Sequence, residues 1–419
     1  MTHRNRRTFV TTIGTAGAIG LAGCLSSLRG DDDDESTPSQ EQEENGGGAE
    51  TDGLDLPGES IDDFEALDDW SAMIDAGDLE ATADDPYADS QSARLTADEG
   101  TEAASIYRSV ADGLDLRDRN LSLAVSFSER DQLRLTLELY APDARSAVRM
   151  HRTLTGPTDR WVRVDFGTIG VDGTPDLSDV REIRLTARRR GDQTGPIDCR
   201  IDDLRTVDRP DRGAVMLLFD ATLEDHYKRA LKYLDAFEFA GVEAVIPEAL
   251  GESGRLSMGQ LETLGNAGWE AIARPRTGAR FLHEFPREQQ AERIQRTKRF
   301  LESRGFEDGA RHFMTPRNIL GSETLDLVRE HHETAFRFGS APNGLPLTDS
   351  HDVGFFSGTA GQTTRDYVDY AAEYGQLAVL HFEHIGDDGI SESAFADLLA
   401  HVDAADVDVV TPSDLLEGY

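Results

Sequence analysis

The sequence has very few lysines. Only Lys228, Lys232 and Lys298 are present among 419 residues, and 80 Asp and Glu outnumber 42 Lys and Arg, for a formal net charge of -38. This charge disfavours nucleic acid as a partner, because the phosphate backbone is repelled. The acidic excess runs through every segment rather than one tail, which indicates a protein that stays hydrated in strong salt, where charge repulsion is screened. We therefore predict a halophilic protein.

Cysteine and long apolar runs are also scarce. The two cysteines are Cys24 and Cys199, and the apolar stretch "IGTAGAIGLAG" is too short and too glycine-rich to span a bilayer. Arg6-Arg7 precedes that stretch, as in signals that direct export of folded proteins. The stretch closes on "LAGC", which resembles a lipobox ending at Cys24; an ordinary signal peptide with an incidental cysteine is the alternative. We predict that residues 1–24 are a twin-arginine export signal with a lipobox, and that a lipid anchor on Cys24 is the only membrane contact.

Residues 25–57 form an acidic linker. The segment contains "DDDDESTPSQEQEENGGGAE" and almost no apolar residue between Leu28 and Leu54. It cannot bury enough surface to offset its conformational entropy, so we predict a disordered tether that holds the folded part away from the outer face of the membrane.

Residues 58–208 alternate apolar and polar side chains over short segments, such as "LSLAVSFS", "LRLTLELYA" and "VREIRLTARR". This pattern is typical of antiparallel strands with one buried face, and it predicts a two-sheet β-sandwich. The segments "IDDFEALDDW" and "CRIDDLRTV" resemble jelly-roll, carbohydrate-binding sandwiches of secreted enzymes. Trp70, Tyr107, Tyr140 and Trp161 are candidates for stacking on sugar rings, although an aromatic in an alternating strand is more often part of the core.

Residues 212–419 alternate apolar runs with helical patterns. "AVMLLFD" is followed by "LEDHYKRALKYLDAFEFAG", whose helix we expect to end at Gly241, and seven or eight such βα units follow one another. The pattern predicts a parallel (β/α) barrel, with an open doubly wound sheet as the alternative. In such folds the functional residues gather at the carboxyl ends of the strands.

Ionisable and polar side chains stand at those predicted strand ends. They are Asp220, Glu248, Arg274, Arg317 with Asn318, and His381. Taken alone, each residue is equally consistent with a charged or polar side chain that only keeps the rim of the barrel hydrated. Together they supply a possible base, a possible acid and two guanidinium groups.

The segment from Ala214 to Leu416 resembles the polysaccharide deacetylases, metal-dependent hydrolases that remove acetyl groups from sugars on a distorted (β/α) barrel. The resemblance rests on the order of "LLFDAT", "LSMGQLETLGNAGWEAIARPRTG", "TKRFLESRGFEDGARHFMTPRN", "LAVLHFEHIG" and "VDVVTPSDLL". It implies that Asp220 occupies the position of the general base and His381 that of the general acid.

The metal ligands of that family are replaced. By the resemblance, Ala221 stands for a metal-binding Asp, and Arg274 and Gly278 stand for two His. We therefore expect no metal cofactor, and zinc or another divalent cation only if the protein is active and other groups hold it, such as Glu248, His283 or His226.

Three hypotheses follow for the function. The favoured one is a cell-surface protein whose degenerate deacetylase-like cleft binds a polysaccharide. The alternatives are a working deacetylase, on nitrogen or ester acetyl groups, with a non-standard metal site or with Arg274 polarising the acetyl carbonyl, and a scaffold that binds no glycan.

Overall fold

The computed structural model describes residues 56–128, 132–191, 194–386 and 388–419. The predicted export signal, Cys24 and nearly all of the predicted linker lie outside the described residues. Cys199 is buried in the sandwich core and unpaired among the described residues. No helix in the described part of the chain is both long enough and apolar enough to cross a membrane.

The first part of the described chain consists of strands in which apolar and polar positions alternate. In "QLRLTLELY" the side chains alternate between partly exposed and buried along the whole strand, because every second residue faces the space between two sheets. The strands are β1 Glu59–Asp62, β2 Trp70–Ala72, β3 Asp78–Thr82, β4 Ser92–Ala97, β5 Ala103–Leu114, β6 Arg119–Phe127, β7 Gln132–Tyr140, β8 Ala147–Thr155, β9 Val162–Asp165, β10 Gly167–Asp172, β11 Val180–Arg189 and β12 Ile197–Asp208.

These strands form two antiparallel sheets of six strands each. One has the order β3-β4-β12-β6-β9, with β1 also paired to β12, and the other has the order β10-β8-β7-β11-β5-β2. Side chains such as Leu123, Leu137 and Ile201 fill the space between the sheets. The predicted antiparallel sandwich is confirmed.

The remainder of the chain alternates strands and helices. The strands are β13 Gly213–Phe219, β14 Val242–Val245, β15 Glu270–Ala273, β16 His312–Met314, β17 Thr334–Phe338, β18 Asn343–Gly344, β19 Val353–Ser357, β20 Gln376–Phe382 and β21 Val407–Val409. The helices are α1 Leu231–Phe237, α2 Met258–Asn266, α3 Arg287–Glu302, α4 Ser322–His331, α5 Gln362–Tyr374, α6 Glu392–Ala404 and α7 Pro412–Gly418.

Seven parallel strands close into a barrel. Their order is β13-β14-β15-β16-β17-β19-β20, and β20 pairs with β13 along Ala214↔Leu377 to Phe219↔Phe382. Inward side chains such as Met216, Ile272 and Val379 fill the barrel, and a second apolar layer lies between the strands and the helices. The predicted (β/α) barrel is confirmed, and the open-sheet alternative is wrong because the two terminal strands pair with each other.

Two local predictions need correction. The first helix ends at Phe237 rather than at Gly241, because Glu238 adopts a left-handed conformation with φ 58. Gly241 instead makes room for a neighbour, since a Cβ there would lie 2.7 Å from the indole of Trp269. The short strand β19 was not predicted, because "VGFFS" lacks alternation and is flanked by polar and glycine-rich residues.

The sandwich and the barrel meet across a buried polar interface. Arg152 on β8 bonds Asp352 at 2.7 Å, and Arg337 on β17 bonds the same carboxylate at 2.6 Å; all three side chains are at most 1% exposed. Gly354 is required beside them, because a Cβ there would lie 1.4 Å from Arg152 Nη1. Asn120 donates to the carbonyl oxygens of Leu345 and Gly375. The two parts are therefore held together by oriented hydrogen bonds as well as by apolar contact.

Candidate functional site

Three of the predicted site residues meet at the carboxyl-terminal mouth of the barrel. Asp220 directly follows β13, Arg274 directly follows β15, and His381 lies near the end of β20. They continue the inward-facing alternation of Met216, Ile272 and Val379, so their side chains point toward the barrel axis.

Asp220 is paired with Arg274. The distance from Arg274 Nε to Asp220 Oδ1 is 2.5 Å, and the same oxygen accepts a hydrogen bond from the Ala221 backbone N–H at 2.5 Å. Burial by itself raises the pKa of Asp220, but Arg274, His381 and the Ala221 N–H outweigh it and hold the pKa below its usual range. Asp220 is therefore an ionised, partnered carboxylate and a weak base near neutral pH.

The turn after Asp220 is strained and firmly held. Ala221 and Thr222 both have positive φ, 74 and 58, which costs a non-glycine residue on the order of 1–2 kcal/mol. The Arg255 guanidinium donates to the Ala221 carbonyl oxygen, and Thr222 Oγ1 accepts a hydrogen bond from the Ile246 N–H at 2.8 Å. These bonds fix the direction of the Asp220 carboxylate.

His381 lies between the Asp220–Arg274 pair and a cavity at the barrel mouth. Its Nε2 lies 3.7 Å from Asp220 Oδ2, and one face of its ring stacks on Phe355, with ring centroids 4.4 Å apart. His381 and Phe355 both line a cavity of ≈ 870 Å³, whereas Asp220 and Arg274 do not. A molecule in this cavity reaches the predicted site through His381.

Arg317 and Asn318 line the same cavity. They form a tight turn after Pro316 in which both residues have positive φ, 58 and 66. The Arg317 guanidinium lies 5.2 Å from the centre of the Phe281 ring, and the Asn318 carbonyl oxygen accepts a hydrogen bond from Thr155 of the sandwich. The structure therefore separates the predicted residues into a buried group around Asp220 and a cavity-lining group around Arg317.

The other proposed metal ligands are engaged elsewhere. Glu248 pairs with Arg296 on α3. His226 contacts Glu243 Oε2 through Nδ1 and the Glu383 carbonyl through Nε2, both at 2.7 Å. Burial opposes protonation of His226, but Glu243 raises its pKa, while burial raises the pKa of Glu243. Both ring nitrogens of His226 are thus engaged by protein groups.

His283 stacks on Phe281 with ring centroids 5.5 Å apart. Gly278 is exposed, has φ 63, and offers no side chain.

The residues around Asp220 do not fit a divalent cation. Zinc sites are built from Cys, His, Asp and Glu, and in the described ranges no three such side chains form a cluster that could hold a metal. One carboxylate oxygen of Asp220 contacts a guanidinium, and the side chains of Ala221 and Gly278 offer no ligand atoms. The donor set suits a positively charged side chain in place of a metal.

The sandwich aromatics differ in accessibility. Trp70 is 4% exposed, stacks on Phe64 and donates its indole N–H to Asp62, so it is a core residue that no sugar can reach. Trp161 is partly exposed; its ring lies beside Tyr87, and the Arg200 guanidinium lies 5.2 Å from its centre.

Sequence reasoning missed several cavity residues. Phe338, Phe355 and Phe281 line the cavity, and Arg190, just after β11, reaches it from the sandwich. No motif marks them, because they come from separate strands and from the other half of the chain.

No protein-family model matches the chain, and no curated protein is similar to it. Among solved structures, a family 4 carbohydrate esterase from Streptomyces lividans in complex with acetate is 12% identical over 48% of this chain and 94% of that chain, with a TM-score of 0.36. A Streptococcus pyogenes deacetylase in complex with acetate is 16% identical over 30% of this chain, with a TM-score of 0.28, and the match spans about half of that protein, 56%.

For the sandwich, a family 11 carbohydrate-binding module from Clostridium thermocellum in complex with a beta-1,3-1,4-mixed-linked tetrasaccharide is 13% identical over 37% of this chain and 98% of that chain, with a TM-score of 0.29. Identities of this size carry no information about activity.

Proposed function

We propose that this protein binds a polysaccharide in the cleft at the barrel mouth and does not deacetylate it by a metal-dependent route. The observation that carries the proposal is the contact of Arg274 Nε with Asp220 Oδ1 at 2.5 Å. The sequence resemblance assigns a metal to that place, and a guanidinium neutralises the carboxylate there without supplying a metal-activated water.

The position of Asp220 supports binding over hydrolysis. A general base must come within hydrogen-bond reach of the proton that it removes. Asp220 is 5% exposed and lies outside the lining of the cavity, and its partners lower its pKa. Substrate in the cavity would meet His381 rather than Asp220.

The cavity itself suits a carbohydrate. Its volume of ≈ 870 Å³ matches the usual range of ligand clefts, and its lining combines aromatic rings with polar groups. Phe338 and Phe281 supply apolar surface against which the C–H faces of a sugar can pack, and Asn318 and Ser357 supply hydrogen-bonding groups.

A working hydrolase is the second candidate. The contact of His381 Nε2 with Asp220 Oδ2 at 3.7 Å favours it, because an imidazole beside a carboxylate is a common acid–base arrangement. In that case Arg274 would polarise the acetyl carbonyl, which stabilises an oxyanion but does not acidify water.

Acetate release and glycan binding distinguish the two candidates. We expect no release of acetate from acetylated xylan or acetylated chito-oligosaccharide, together with measurable binding of a polysaccharide by the same preparation. Acetate release that disappears in Asp220→Asn would overturn the proposal. Absence of binding to every polysaccharide tested would favour a scaffold instead.

We also propose that the protein is exported and anchored by a lipid on Cys24. The support is the order of Arg6-Arg7, the short apolar stretch and "LAGC". In the native host, Cys24→Ala is expected to move the mature protein from the membrane fraction to the medium. Unchanged retention at the membrane would contradict the lipid anchor.

Halophilic behaviour is the third proposal, supported by the net charge of -38. Repulsion among surface carboxylates grows as salt is removed, because the Debye length rises from about 3 Å at 1 M to about 30 Å at 0.01 M. We expect the thermal midpoint to fall steeply with decreasing salt. A protein that is equally stable in dilute buffer would refute this proposal.

A further inference from the structure

The cavity at the barrel mouth is built by both halves of the chain. Gln132, Thr155 and Arg190 reach it from the sandwich, and Arg317 reaches it from the barrel. The Arg190 guanidinium lies 4.6 Å from the centre of the Phe338 ring and donates a hydrogen bond to the Gln132 side chain. Both arginines thus present a guanidinium that is supported by an aromatic ring.

The two guanidinium groups belong to one continuous part of the cavity lining, which we call the Arg190–Arg317 wall. Gln132, which bonds Arg190, is the cross-strand partner of Thr155. Thr155 in turn donates to the carbonyl oxygen of Asn318, the residue next to Arg317. Hydrogen bonds, a strand pair and one peptide bond thus join Arg190 to Arg317, so the two arginines are held in place before any ligand arrives.

This wall is positive in a strongly acidic protein. Within the described ranges, neither Arg190 nor Arg317 forms an ion pair with a carboxylate; the contacts found for them are Gln132 and the rings of Phe338 and Phe281. Burial lowers the pKa of Arg190, and the like charge of Arg134 lowers it further. An anion beside Arg190 would relieve that repulsion.

Acidic residues line the same cavity. Glu383 and Asp388 are exposed on the segment after β20, and His384 there contacts Asp225 at 3.1 Å. The positive and the negative groups come from different segments of the chain, and Coulomb attraction favours an anionic group beside the arginines.

We propose that the cleft selects an acidic glycan, whose carboxylate or sulfate groups bind the Arg190–Arg317 wall while its sugar rings pack on the neighbouring aromatic rings. This inference rests on the proposed glycan-binding function and adds the class of glycan. Planar guanidinium groups suit both carboxylate and sulfate oxygens, because they donate two parallel hydrogen bonds.

The test is calorimetric binding of length-matched oligosaccharides at the lowest salt at which the protein remains folded. The probes are an oligogalacturonate, a sulfated xylo-oligosaccharide and the neutral xylo-oligosaccharide. We expect the anionic probes to bind more tightly than the neutral one, and added salt to reduce that difference. The first two probes distinguish carboxylate from sulfate recognition.

The variants are Arg190→Gln and Arg317→Gln, each expected to weaken binding of the preferred anionic probe roughly tenfold and to reduce the preference for the anionic probe over the neutral one. Arg304→Gln is the matched control, because Arg304 also lies over an aromatic ring, 5.5 Å from the centre of Phe300, but borders a different cavity. Arg190→Lys retains the charge and should recover part of the affinity. Arg317 is exposed, so its variant remains informative if Arg190→Gln fails to fold.

Equal affinity for neutral and anionic probes would overturn this inference and leave the proposed glycan binding intact. Failure of all three probes to bind, with the protein shown to be folded, would count against both. Anionic binding that survives both glutamine variants would show that the wall is not the site.

Discussion

Buried contacts between aspartate and arginine occur both at the barrel mouth and at the sandwich–barrel interface, but in different surroundings. At the interface, Asp352 lies between Arg152 and Arg337, and none of the three side chains is more than 1% exposed. At the mouth, Asp220 has Arg274 on one side and His381 on the other, and His381 borders an open cavity. A buried carboxylate–arginine contact therefore does not by itself indicate function; what distinguishes the mouth is the cavity beside it.

The largest effect is expected at the interface. Arg152→Met removes one partner of a fully buried carboxylate and should lower the free energy of unfolding by about 3 kcal/mol or more. The measurement is the shift of the urea midpoint in high salt. Arg188→Met is the control, because Arg188 forms an exposed pair with Glu102 at 2.6 Å, and it should cost less than about 1 kcal/mol. Equal shifts in the two variants would show that the buried pair contributes no more to stability than the exposed pair.

A second prediction concerns pH at the same interface. Across it, His151 Nε2 lies 3.1 Å from the carbonyl oxygen and 2.9 Å from the hydroxyl oxygen of Ser340. Burial, with Arg134 and Arg152 nearby, lowers the pKa of His151 from 6.5 to about 4. Between these values the unfolded chain binds the proton and the folded chain does not, so stability falls as pH drops from 6.5 toward 4, by up to about 3 kcal/mol.

His151→Gln should flatten that part of the pH–stability curve, measured by urea midpoints at each pH. Ser340→Ala keeps the titrating ring and should keep the slope. An unchanged slope in His151→Gln would assign the pH dependence to other groups.

A smaller effect is expected at the mouth. Arg274→Met leaves Asp220 with His381 and the Ala221 N–H, and should cost roughly 1–3 kcal/mol at neutral pH. Because its partners hold the folded pKa of Asp220 below the usual value of 3.8, the wild type gains stability above that pH and loses it as pH falls through the folded pKa.

The deficit of Arg274→Met relative to the wild type should therefore shrink in acid. The measurement is the urea midpoint of both proteins from neutral pH to below 4, with Asp220→Asn as the control that removes the titrating group. A deficit that stays constant with pH would show that Arg274 acts through packing rather than through its charge.

The sequence predicts the strands and helices better than it predicts which residues line the cavity at the barrel mouth. Asp220 and His381 could be placed because each ends an apolar run, and parallel strands bring such ends together. Arg190 and Phe355 could not, because the first belongs to the sandwich and the second to a strand without alternation. Their shared position depends on how the two halves pack, which local periodicity does not encode.

Our central proposal is that the Arg274 guanidinium lies beside Asp220 where the sequence resemblance places a metal, and the zinc content of the purified protein tests it most directly. We predict no bound zinc after dialysis of the wild type, and a gain of zinc binding in the combined variant Ala221→Asp, Arg274→His, Gly278→His. Asp and His tolerate positive φ better than most residues, so they fit the backbone at positions 221 and 278. One zinc per wild-type chain, lost in Asp220→Asn, would contradict it.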